Sequence, residues 1–139
     1  MKKALSITLL LIATTIFNSV CLAQEKKVEW PERTAFHGVM STTFHPSEEG
    51  NLVPIKTRSG EMVEKAEAWM KSTPPSEFNN KTVKKKLKQL YNESKALDKL
   101  VKNKGTDAEI KAALAKLHDR FHEIVEICHH KEGEKKHDH

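Results

Sequence analysis

Two apolar runs that step by four and three constrain the fold of this chain more than any other feature. Val83, Leu87, Leu90, Ser94, Leu97 and Val101 form the first run. Ile110, Leu114, Leu117, Phe121, Ile124 and Cys128 form the second. That spacing gathers each run on one side of an α-helix, whereas a half-buried strand would need alternation by two. Between the runs lies Asn103-Lys104-Gly105, which supplies a glycine at a helix C-terminus. Thr106-Asp107-Ala108-Glu109 follows as a capping box, with Thr at the cap and Glu three residues on, each able to satisfy an orphan amide. A helix over 81–102 and another from about residue 107 are therefore predicted.

Upstream, Phe36, Met40 and Phe44 recur every fourth residue and predict a first helix over 32–44. Pro46 is expected to end it, since the residue before a proline avoids the helical region. Pro54 suits the first turn of a second helix that carries Ile55, Met62, Ala66 and Trp69 and stops at Ser72-Thr73-Pro74-Pro75. Aromatic residues make up only 6% of the chain and charged residues 31%, which argues against a sandwich or barrel. The fold expected is all-α: an up-down-up-down four-helix bundle over 32–131. A polar lead-in at 24–31 precedes it, and a charged, histidine-bearing tail at 132–139 follows.

Residues 1–23 read as a cleaved signal peptide: Lys2 and Lys3, an apolar stretch to Phe17, then Cys21-Leu22-Ala23. The expected location is periplasmic or secreted. Cys21 offers a lipoprotein alternative, although Val20 before it is large for that role. The apolar stretch is too short for a membrane span. Export leaves Cys128 as the one cysteine, hence no internal disulfide. The formal net charge of +5, less Lys2 and Lys3, is too small for a nucleic-acid footprint. No phosphate loop, nucleophile elbow, zinc-protease motif or Ser-His-Asp order is present, so an enzyme is not expected. Lys84-Lys85-Lys86 with Lys88 forms a basic stripe, read as a solvated face or, alternatively, as a surface for anionic lipid or an acidic partner.

Histidine is the anomaly. Six of the eight histidines fall between residues 118 and 139. His118, His122 and His129 lie within an arc of about 40° on a helix, beside the apolar seam. An i, i+4 histidine pair is a good two-point metal chelate, and three boundary histidines can equally be the edge of a core. In an up-down bundle the start of helix one lies near the end of helix four, which brings His37 and Met40 toward His118, His122 and Cys128. Thioether, imidazole and thiolate together suit softer transition ions or haem iron. The cluster Cys128-His129-His130…His137-Asp138-His139 could bind nickel, copper or zinc loosely, or be only solvated.

This layout resembles the exported four-helix bundles of the cytochrome b562 and cytochrome c′ superfamily, and Lys71-Ser72-Thr73-Pro74-Pro75 is similar to the joint between their second and third helices. The resemblance implies haem b held by a methionine early in helix one and a histidine late in helix four: Met40 with His122, and His118 next. Covalent attachment is excluded, because Val125 stands where C-x-x-C-H needs its first cysteine before Cys128-His129. The function expected first is b-type electron transfer with a redox partner. The second is copper or zinc binding or storage by His37, His118, His122, Cys128 and His129, with a delivery partner. The third is a cofactor-free envelope interaction or stress protein.

Overall fold

The computed structural model describes residues 28–134. The signal peptide at 1–23, the lipoprotein cysteine Cys21, the lead-in up to residue 27 and the tail from residue 135 lie outside the described residues. The described residues are all-helical. They form α1 (Pro31–Glu48), α2 (Val53–Lys71), α3 (Lys81–Lys102) and α4 (Asp107–Glu134), with a short 3-10 turn at Ser76–Phe78. Each helix packs on its neighbour in sequence, and α1 packs more loosely on α4 to close a four-helix bundle. No described helix is long and apolar enough to cross a membrane.

Both seams fall where their spacing puts them. Val83, Leu87, Leu90 and Leu97 of α3 are buried against Ile110, Leu114, Leu117 and Ile124 of α4 in one core cluster. Burying a side chain of this class contributes about 1.5–3 kcal/mol. The helix starts explain themselves locally. Asn80 Oδ1 accepts a hydrogen bond from the Val83 amide at 2.9 Å and caps α3. The capping box forms at α4: the Glu109 amide donates to Thr106 Oγ1 and the Thr106 amide donates to Glu109 Oε2. Thr43, Ser47 and Ser94 are buried hydroxyls that donate to carbonyls of their own helices, so small polar residues sit in the core without an orphaned donor.

Three boundaries differ from expectation. The first helix does not stop before Pro46 but continues to Glu48. Pro46 lies in the last turn, where its missing amide removes a single bond, and its carbonyl accepts from the amides of Glu49 and Asn51. The segment read as a polar lead-in contributes to the core. Trp30 is 1% exposed, packs edge-on against Trp69, stacks with Phe78, and donates from Nε1 to Ser72 Oγ at 2.8 Å. The tail boundary also moves, because the α4 backbone stays helical through Gly133 to Glu134.

The end of α3 is a Schellman turn displaced by one residue from the glycine. The Gly105 amide donates to the Leu100 carbonyl and the Lys104 amide to the Val101 carbonyl. The left-handed position therefore belongs to Lys104, at φ 56°, and not to Gly105. Gly105 instead lies so close to Leu100 that an added Cβ would stand 2.5 Å from Cδ1. A side chain in the left-handed region costs about 1–2 kcal/mol, part of which a glycine returns as unfolded-state entropy. Lys104→Gly should therefore stabilise the protein by about 0.5–1 kcal/mol in a urea melt; a variant less stable than the parent would contradict this account of the turn.

Candidate metal centre

α4 carries three differently occupied sides. Its apolar seam enters the core. Its α3 side is tied by ion pairs: Arg120 bonds both carboxylate oxygens of Glu93 and also reaches Glu123, which takes Lys86 from α3 at 2.6 Å. Its α1 side carries the histidines. The order of the ring contacts across that seam, His37 with Phe121 and Phe44 with His118, shows α1 and α4 running antiparallel.

His118 and His122 stand one helical turn apart with their Nε2 atoms 3.1 Å from each other. Their rings cross at 76° with centroids 4.4 Å apart. One Nε2 must donate and the other accept, so the neutral pair holds opposite tautomers. Phe44 of α1 lies flat on His118, with centroids 3.8 Å apart and planes 8° off parallel. That contact makes His118 half-buried while His122 stays exposed. His45 sits edge-on to Phe44, and its Nδ1 is 3.1 Å from Glu48 Oε2. Burial holds the His118 pKa below the ordinary histidine value, and the nearby His122 and His45 push it the same way, against Asp119 and Glu48.

With metal–nitrogen bonds of about 2.0–2.1 Å, two nitrogens 3.1 Å apart subtend roughly 98° at an ion. That angle lies between the 90° of square or octahedral coordination and the 109° of a tetrahedron. The pair therefore suits two adjacent positions on a late first-row ion. Among the described residues no group of three or more His, Cys, Asp or Glu is placed to hold a metal, so what they bring together is a pair of nitrogens.

The other expected ligands are elsewhere. His37 and His129 line a groove of about 320 Å³ on the same seam, with Arg33, Thr34, Phe121 and Val125. His37 lies parallel to Phe121 at 5.2 Å. Met40 and Cys128 belong to the core, at 0% and 1% exposure. Their helical positions permit burial or ligation equally, and the sequence could not separate the two. Phe44, the residue that clamps His118, counted only as an apolar position in the sequence. The signal for its role was the echo of Phe44-His45 in Phe121-His122.

Met40 and His122 do not fit haem in this arrangement. A porphyrin needs thioether and imidazole facing each other across an open slot. Met40 is fully enclosed, His122 turns its Nε2 to His118, and the seam is filled by Phe44 on His118 and by Phe121 packed on Phe36 and Trp69. Comparison with known proteins adds no relative: no family model, no curated protein and no solved structure matches the chain, and nothing in them identifies the cytochrome b562 superfamily.

The lowered His118 pKa has a consequence for stability. The unfolded chain gains its proton at about pH 6.5, above the folded value, so stability is full above that pH and falls as pH drops toward the folded pKa. Replacing His118 by Phe keeps a ring against Phe44 and removes the titrating group. The fall in urea midpoint between about pH 7 and pH 5 should be smaller in His118→Phe than in the parent. Equal falls in the two proteins would show that His118 does not couple to folding.

Proposed function

We propose that this chain is an exported helical-bundle protein that binds a late first-row transition ion, Cu(II) or Zn(II), through Nε2 of His118 and Nε2 of His122. The observation that carries the reading is their 3.1 Å separation on consecutive turns of α4, with Phe44 flat against His118 to hold its ring. Burial keeps the His118 imidazole neutral, and the ring of the pair that carries its proton on Nε2 would shift it to Nδ1, so binding through both Nε2 atoms needs little net proton release near neutral pH. Open coordination positions point to carriage or delivery to a partner, since a structural site would be closed by four protein ligands. His129, His130 and the histidines beyond the described residues would act as looser collectors of the same ion. A leader at residues 1–23, as the sequence suggests, would put this activity outside the cytoplasm.

The test is a titration of the full chain with CuSO₄, followed by calorimetry and by tryptophan fluorescence. Cu(II) on His122 would sit within two ring contacts of Trp69, by way of Phe121, and should quench its emission. His118→Ala with His122→Ala should remove one binding equivalent and most of the quenching while leaving the helical circular dichroism unchanged. His137→Ala with His139→Ala should leave the quenching in place. Affinity should fall as pH drops, with His118 protonating later than an ordinary histidine. Unaltered copper stoichiometry and quenching in the His118/His122 variant would overturn the reading.

A further inference from the structure

The outward side of α3 carries a row of lysines. Lys81, Lys85, Lys88, Lys95 and Lys99 are exposed and fall within an arc of about 80°. They extend along a helix of 22 residues, about 33 Å in length. The two carboxylates of α3 are turned away from this arc and are occupied by neighbouring helices and, for Asp98, also by Lys102 of α3 itself. Glu93 takes Arg120 of α4, and Asp98 accepts from Ser59 of α2 at 2.8 Å. Among the described residues none of Lys81, Lys85, Lys88 and Lys99 has a carboxylate partner, and Lys95 rests over the Tyr91 ring. The packing thus withdraws the negative charge of α3 into side-chain contacts and leaves its outer side cationic, with Glu67 of α2 near Lys95 at the flank.

We propose that this lysine row docks the bundle on an anionic lipid bilayer. The row is straight and presented by a single helix, so its ammonium groups can meet a plane together. No exposed aromatic or aliphatic anchor lies on the arc, only Asn92 and Ala96 between the lysines, which denies a protein partner the buried hot spot that stable interfaces use. A fluid surface of phosphates needs no such anchor, because its charges move to meet the lysines. At the start of the row Lys81, Lys85 and Lys86 line a hollow of about 290 Å³ with Thr82 and Gln89. A phosphodiester headgroup supplies an anion for the lysines around that hollow. The proposal is independent of the metal reading.

The experiment is co-sedimentation of the full chain with vesicles of phosphatidylcholine alone and of phosphatidylcholine mixed with phosphatidylglycerol. Binding should be specific to the phosphatidylglycerol vesicles and lost in about 1 M NaCl. Binding through the apolar leader would instead appear on both vesicle types. The combined change Lys81→Gln, Lys85→Gln and Lys88→Gln should lower the partition coefficient by roughly a hundredfold, since each lysine near an anionic surface contributes several-fold. Lys104→Gln with Lys111→Gln, off the row, should have little effect, and circular dichroism should confirm that all variants remain helical. No preference for phosphatidylglycerol, or equal binding by the row variant, would overturn the proposal. So would release of the protein from the vesicles by a short poly-glutamate peptide at stoichiometric concentration, which would assign the row to an acidic protein.

Discussion

Phe121 packs 5.9 Å from Phe36 and 5.9 Å from Trp69, and it also carries His37 and His122 against its ring. Those contacts link the candidate metal centre to the core. Trp69 in turn meets Trp30, which reaches in from outside the helices, so three separate stretches of chain converge on one aromatic group. The histidines of the seam are therefore mounted on a packed support and do not hang from a mobile face. Such a support fixes the χ angles of a ligand before an ion arrives. The same cluster leaves Trp69 Nε1 enclosed among rings without a hydrogen-bond acceptor. An unmet buried donor costs on the order of 1–3 kcal/mol, so the ring packing must outweigh that deficit.

α4 is held from two sides by different forces. Toward α3, the half-buried Arg120 joins Glu93 and Glu123 with Lys86 in a network of directional bonds. Toward α1 the contacts are stacked rings, with His118 under Phe44 and His37 on Phe121. The network fixes the register of α4 along the bundle. The stacked rings then tolerate small changes in spacing on the side where an ion would enter, because stacking falls off gradually and has no single required angle.

Much of this architecture was legible in the sequence. The α3 and α4 seams, the joint after Trp69 and the capping box at Thr106 all follow from local rules, and the structure places them there. The length of α1 was not legible. A proline in the last turn removes only one bond, and the compensating bonds from Glu49 and Asn51 to its carbonyl are not a sequence pattern. Trp30 was misplaced because a single aromatic residue outside a periodic run carries no statement about depth. The left-handed Lys104 was missed because the adjacent glycine gives the stronger signal. At the site, the His118/His122 pair could be read from spacing alone. Met40 and Cys128 could not be assigned, because helical periodicity reports the side of a helix and not whether that side is sealed.

Both imidazoles of the pair come from consecutive turns of one helix, and under the proposed function this would set how quickly an ion could change hands. No loop has to open and no second helix has to retreat for the ion to leave. An incoming ligand from another molecule can join at an open coordination position before either Nε2 lets go. Exchange would then proceed through a shared, three- or four-ligand intermediate and avoid the cost of a bare ion in water. A site of this kind would trade long residence for ease of transfer.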